Sequence, residues 1–219
     1  MRPDNLVIFD FDGTIADSFD TFIEVTNCLA EEFNYPQFST VQISRFRKLS
    51  LKAMVQELGM PKWKLLFFLR RFRQELSRLT PYLQPISGID ESLMQLNPSE
   101  YRLGIVTSNS RKNVEAFLQT HKLSHRFDFI CGGQLLSGKA KTLKQIARRS
   151  GTEPRKIIFI GDEVGDVKAA KQVGLYSIAV SWGFNDRQIL EQHTPDTVVD
   201  HPQQLISEIV QRFRLPADS

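Results

Sequence analysis

The sequence predicts an α/β protein built on a doubly wound parallel sheet, with a helical cap inserted after the first strand. Three observations point there. Short runs rich in β-branched and aromatic residues alternate with segments of three-to-four-residue apolar spacing, the rhythm of parallel strands joined by helical crossovers. The short runs are apolar throughout, as strands covered on both faces are. Residues 19–82 break the rhythm and hold no strand-like run.

In chain order, Leu6-Val7-Ile8-Phe9 is the first strand; it stops at Asp10, and Asp12-Gly13-Thr14 supplies turn chemistry. The helical stretch follows, with Leu65 to Leu69 between Lys64 and Arg70 and with Pro81 and Pro85 closing it. Placed straight after the first acidic loop, it is positioned to cover that loop. A second strand, Leu103 to Val106, ends at Thr107-Ser108-Asn109, and a helix follows from Arg111 to His121. A helix from Lys139 to Ser150 stops at Gly151, and the strand Ile157 to Ile160 ends at Gly161-Asp162. A helix from Glu163 to Val173 stops at Gly174. Strands at Tyr176 to Val180 and Thr197 to Val199 complete the sheet. The reading is a Rossmann-like core of residues 1–17 and 86–219 with a cap of residues 18–85. The hinges fall at Asp17-Ser18 and between Pro81 and Gly88, where the rhythm changes.

Bulk properties narrow the function. At 219 residues the chain suffices for one such core and a small insert. With 41% hydrophobic and 24% charged residues it is ordinary globular material, which excludes a disordered chain. A net charge of +3 argues against nucleic acid as the partner of the whole molecule. The first apolar run is too short and too soon interrupted by acids for a signal peptide or a membrane span. Cys28 and Cys131 have no metal-ligand spacing and read as reduced thiols. The expectation is a soluble cytoplasmic protein, monomer or homodimer, whose partner is a small molecule.

In an open parallel sheet, ligands bind at the carboxyl ends of the strands, and here those ends carry the reactive residues. Asp10 and Asp12 point the same way in an extended segment. Two carboxylates on one side repel unless a cation lies between them, and hard oxygen ligands suit Mg²⁺. Asp162 and Asp166 bring further carboxylates to the same edge. Hydroxyls of Thr107 and Ser108, with Asn109 and the amides opening the next helix, can hold an anion. Lys139, at a helix start, adds a positive charge. Alone, each feature is weak: a calcium loop begun at Asp10 would need Glu where Thr21 stands. Four such features in order, at four element boundaries, make one site.

These motifs resemble those of the haloacid dehalogenase superfamily. Asp10-Phe11-Asp12-Gly13-Thr14 looks like its first motif, Val106-Thr107-Ser108-Asn109 its second, Lys139 its third, and Gly161-Asp162-Glu163-Val164-Gly165-Asp166 its fourth. The helical insert resembles the small cap of the phosphoglycolate-phosphatase-like branch. The third motif departs from the Lys-Pro of many members, reading Lys139-Ala140-Lys141, so Lys141 stands as a substitute for Lys139. The resemblance implies a Mg²⁺-dependent phosphomonoester hydrolase in which Asp10 attacks phosphorus and forms an aspartyl-phosphate. Asp12 would move the proton, and Thr107 and Lys139 would bind the transferring oxygens. The metal would be held by Asp10, Asp12 through its backbone carbonyl, and Asp162, with Asp166 orienting Lys139 or a metal water. A phosphomutase would use the same residues; a non-catalytic binding protein with a basic cap is the reading from a different class.

The cap adds ten Lys and Arg residues between Arg45 and Arg78 against two acids, Glu57 and Glu75. Most of such a run is solvated surface. Arg47 and Lys48, ahead of Leu49-Ser50-Leu51-Lys52, are the candidates to hold an anionic leaving group. Trp63, Phe67, Phe68 and Phe72 read as cap core.

Overall fold

The first apolar run folds as β1 (Asn5–Phe9), and being apolar on both faces it becomes the centre of the sheet, with Leu6, Val7 and Ile8 wholly buried. The structure is a computed structural model, and it describes residues 3–49, 53, 56, 57, 59–133 and 138–214. Six strands make one parallel sheet: β1, β2 (Tyr101–Val106), β3 (Phe129–Cys131), β4 (Ile157–Gly161), β5 (Tyr176–Val180) and β6 (Thr197–Val199). Their order is β3-β2-β1-β4-β5-β6. Val7 stands opposite Leu103 on one side and Ile158 on the other.

The period of two along β1 divides the interior into two layers. Val7 and Phe9 face Leu93, Phe117, Leu205 and Ile209 from α4 (Ile89–Gln95), α5 (Arg111–Thr120) and α9 (Pro202–Arg214). Leu6 and Ile8 face Leu143, Ala169 and Ala170 from α6 (Lys139–Ser150) and α7 (Val164–Val173). A short helix, α8 (Arg187–Gln192), buries Leu190 against Val167 and Ala179. Each large apolar side chain so enclosed contributes about 1.5–3 kcal/mol relative to exposure. No helix among the described residues is long and apolar enough to cross a membrane.

The edge strand β3 and helices α4, α8 and α9 go beyond the sequence reading. β3 is held by a contact that no local pattern announces. The Phe129 ring lies over Gly104 of β2, where an added Cβ would stand 2.1 Å from a ring carbon.

Among the described residues, 19–79 supply helices and no strand: α1 (Phe19–Cys28), α2 (Thr40–Phe46), helical positions at Ala53, Gln56 and Glu57, and α3 (Lys62–Leu79). They form an apolar cluster of their own, Val25, Leu29, Phe33, Phe68 and Phe72. The core face of α3 runs through Phe68, Phe72 and Leu76, spaced by four. Trp63 and Phe67 correct the sequence reading: they are 66% and 61% exposed, because they fall on the opposite side of that stripe. The chain enters and leaves this helical stretch side by side. Asp17 N–H donates to the Gln84 carbonyl at 2.9 Å, and Ile86 N–H donates to that of Ile15 at 2.8 Å. The sheet places the carboxyl ends of β1, β2 and β4 together beneath α1 and α3.

Candidate active site

β1 delivers Asp10 to the sheet edge with its N–H donating to the Ile160 carbonyl of β4 at 2.7 Å. The chain then turns sharply: the Phe11 carbonyl accepts from the N–H groups of Thr14, Ile15 and Ala16. Gly13 takes φ +73 within this turn, a conformation that costs a residue with a Cβ. Asp10 is buried and Asp12 partly exposed, both against a cavity of about 980 Å³.

β4 ends by presenting Asp162, which is fully buried. Its Oδ1 accepts from the Thr14 hydroxyl at 2.7 Å, and its Oδ2 accepts from the Phe184 N–H at 2.7 Å. At the start of α7, Asp166 Oδ2 accepts from the Glu163 N–H at 3.1 Å and closes a reciprocal cap with Glu163. Lys139, the first residue of α6, links the two carboxyl groups. Its Nζ donates to Asp10 Oδ2 at 2.6 Å and to Asp166 Oδ1 at 2.5 Å.

The loop after β2 completes the edge. Thr107 is buried, and its hydroxyl accepts from the Asn109 N–H at 3.0 Å. The Asn109 side chain donates to both oxygens of Asp12, at 3.2 and 3.0 Å.

Asp10, Asp12, Glu163 and Asp166 thus lie around one ammonium, and Asp162 stands beside Asp10 and Asp166. Burial drives the Asp10 carboxyl up to about 8, with Lys139 opposing the rise. Burial raises Asp162 well above the usual carboxylate range, reinforced by the charges of Asp10, Glu163 and Asp166. Burial likewise pushes Asp12 up, and Glu163 to about 7. Burial alone would depress Lys139; the charges of Asp10, Asp166 and Glu163 reverse the sign and hold it well above its ordinary value. The site holds more carboxyl groups than its one ammonium can pair. Asp10, Asp162 and Asp166 each offer an oxygen atom within 4.8 Å of the others, a buried acidic cluster of the kind that holds a metal ion.

The structure brings most of the sequence-predicted residues together. Asp10, Asp12, Ser108, Asn109 and Lys139 line the cavity, and Thr107, Asp162 and Asp166 lie beside it as buried groups. Lys139 makes the contacts to the acids, whereas Lys141 is exposed. The Asp12 carboxylate is engaged with Asn109 and stands outside the acidic triad. Arg47 and Lys48 do not line the cavity. The Arg47 guanidinium lies 4.2 Å from the Phe19 ring centroid, and its carbonyl accepts from the Asp186 N–H at 2.9 Å. Ser50, Leu51 and Lys52 lie outside the described residues. Among the described residues, the cations of the helical stretch on the cavity wall are Arg70 and Arg73 of α3. Sequence reasoning also missed Phe184 and Asn185. The Asn185 side chain donates to the Leu49 carbonyl at 2.8 Å, and its backbone N–H donates to the Asp162 carbonyl at 3.3 Å. Residues of this kind carry no motif, because they act through packing and backbone contacts.

Comparison with known proteins agrees with this geometry. Residues 7–180 match the model of the haloacid dehalogenase-like hydrolase family. A phosphoglycolate phosphatase of Synechococcus elongatus is 38% identical over 208 residues, covering 95% of this chain and 98% of that protein. A predicted phosphatase from Clostridium acetobutylicum shares the fold with a TM-score of 0.82 at 22% identity, over 94% of this chain and 98% of that one. A haloacid dehalogenase-like hydrolase from Streptococcus pneumoniae has a TM-score of 0.81 at 23% identity, over 93% and 97% of the two chains. With the motif residues gathered at one sheet edge and the match spanning most of its length, the chain belongs to the haloacid dehalogenase-like hydrolase family.

Proposed function

We propose that the chain is a phosphatase that hydrolyses a small phosphorylated metabolite, with phosphoglycolate the first substrate to test, through a covalent aspartyl-phosphate on Asp10. The observation that carries the reading is the convergence of Asp10, Asp12, Lys139 and Asp162 at the carboxyl ends of adjacent strands. The high identity to a phosphoglycolate phosphatase over nearly the whole chain supports the substrate. Residues 18–85 act as the cap, and two unpaired cysteines, Cys28 and Cys131, suit the cytoplasm.

The acidic triad fits Mg²⁺. Its donors are all carboxylate oxygens, and Asp10 Oδ1 is buried without a hydrogen-bond partner. Asp10 and Asp162 would hold the ion, which supplies charge neutralisation between nucleophile and phosphate when bound. Asp166 orients Lys139. The Asp10 carboxylate attacks phosphorus, and the ester P–O bond breaks as Asp12 protonates the leaving oxygen. Asp12 then takes a proton from the water that hydrolyses the acyl phosphate, which restores both residues. Lys139, Thr107 and the Ser108 and Asn109 loop bind the transferring oxygens.

Arg70 and Arg73 face the cavity and pair with no described residue. They replace Arg47 and Lys48 as the groups that hold an anionic leaving group. Arg73→Ala should lower kcat/KM for phosphoglycolate about ten- to a hundredfold and barely change that for p-nitrophenyl phosphate, whose leaving group offers no such contact. Equal losses on both would assign Arg73 a structural role.

The activity test is phosphate release from phosphoglycolate with Mg²⁺. Turnover should stop with a chelator, return with Mg²⁺, and fall by roughly three or more powers of ten in Asp10→Asn. A folded Asp10→Asn with near-normal turnover would remove the covalent mechanism.

A further inference from the structure

A line of hydrogen bonds runs from the cap to Asp12. The Ser77 hydroxyl, near the end of α3, donates to Asn113 Oδ1 at 2.8 Å. Asn113 Nδ2 donates to Asn109 Oδ1 at 2.9 Å. Asn109 Nδ2 in turn donates to the Asp12 carboxylate at 3.0 and 3.2 Å. Asn113 is buried in the first turn of α5, where an amide must find partners for both its ends. Each amide in the line has one orientation that satisfies it. Asn109 Oδ1 accepts from both Asn113 and the Ser110 N–H, which leaves only its N–H₂ group to face Asp12. Reversing Asn113 would set its carbonyl oxygen against that of Asn109, and the Ser77 hydroxyl, which can donate or accept, does not compensate for that clash.

We propose that Asn113 is a positioning residue. It fixes the Asn109 amide toward Asp12 and, through Ser77, makes that orientation depend on where the cap stands. The proposal rests on the reading of Asp12 as the proton-transfer group. The logic is geometric: proton transfer demands a carboxyl group held within hydrogen-bond reach of the leaving oxygen. Asn109 holds Asp12 along the sheet edge, but the Asn109 side chain has its own freedom of rotation. Asn113, together with the Ser110 N–H, removes that freedom, and its share is greatest when α3 brings Ser77 into reach. Asp12 is therefore best ordered when the cap lies over the cavity.

The test compares kcat, KM and thermal stability on phosphoglycolate with Mg²⁺. The variants are Asp12→Asn, Asn109→Ala, Asn113→Ala, Asn113→Asp, Ser77→Ala and the double variant Asn109→Ala/Asn113→Ala. Asn113→Asp is the informative change. It keeps the shape, and its negative charge suits the first turn of a helix, so the fold survives even where Asn113→Ala fails to fold. It cannot donate to Asn109, so it sets an anionic acceptor against Asn109 Oδ1 and draws the Asn109 amide away from Asp12.

The expected result is a fall in kcat of about ten- to a hundredfold in both Asn113 variants, with KM moving less than about threefold. Ser77→Ala should lower kcat by about two- to fivefold, since it removes only the cap end of the line. The double variant should be no slower than Asn109→Ala, because both changes break one network. Wild-type kcat in Asn113→Asp beside a slow Asp12→Asn would overturn the role of Asn113 alone. Losses confined to KM, or losses that multiply in the double variant, would overturn it as well. Wild-type turnover in Asp12→Asn would instead overturn the assignment of Asp12.

Discussion

Asp162 shows how closely single residues are fitted at this site. Two glycines crowd its carboxylate: a Cβ added to Gly13 or to Gly183 would stand 2.3 Å from Asp162 Oδ2. Gly13 also has a positive φ, so its replacement would confound strain with crowding. Gly183 has no such φ, and its substitution isolates the crowding. Gly183→Ala should displace Asp162 from the Phe184 N–H and raise the Mg²⁺ concentration needed for half-maximal activity by about tenfold or more, as loss of a placed oxygen ligand does. An unchanged Mg²⁺ titration would show that the Asp162 position is not what sets cation affinity. The sequence made Asp162 legible through its motif. It did not reveal Gly183 or Phe184, which belong to the loop after β5 and meet Asp162 only through the fold.

At the scale of elements, β1, β2, β4 and β5 were legible because each is a run of apolar residues long enough to be buried on both faces. The edge strand β3 was not. It is three half-buried residues, and its main support is a glycine on the neighbouring strand. An aromatic ring laid over a cross-strand glycine restores the packing that the glycine omits. Phe129→Ala should therefore lower unfolding free energy by about 1–3 kcal/mol, less than for a fully enclosed ring. Denaturant unfolding measures this directly; a loss below about 0.5 kcal/mol, the scale of an ordinary surface change, would mean that β3 is held by its ladder alone. The helices after β1 were legible as helices, but which of their cations face the cavity was not. Spacing along α3 separates its faces without saying which face meets the core, and the basic run supplies cations to both.

Across the whole molecule, the acidic site links stability to pH and to cation. The Asp10 carboxyl rises from an ordinary 3.8 to about 8 on folding, chiefly through burial. A folded pKa above the unfolded value means that the folded state binds more protons. The contribution of this group is therefore most favourable below 3.8 and is lost as pH rises toward 8. Asp162 and Asp12, raised in the same direction by burial, add to the trend. A cation that binds the ionised carboxylates offsets this loss. Mg²⁺ should raise the melting temperature more at pH 8 than at pH 5.5, and Asp162→Asn should shrink the difference. An equal shift at both pH values would place the cation elsewhere.

In the proposed mechanism the sheet edge and acidic cluster serve one event, the passage of phosphate onto Asp10, and that event would leave a covalent trace. The most direct measurement is to quench the enzyme in acid during turnover of phosphoglycolate with Mg²⁺, digest it, and locate phosphate by mass spectrometry. Phosphate should appear on the peptide that contains Asp10, be absent from that peptide in Asp10→Asn, and disappear when substrate is exhausted. Steady phosphate release with no phosphorylated peptide, or with the label on another residue, would contradict the account.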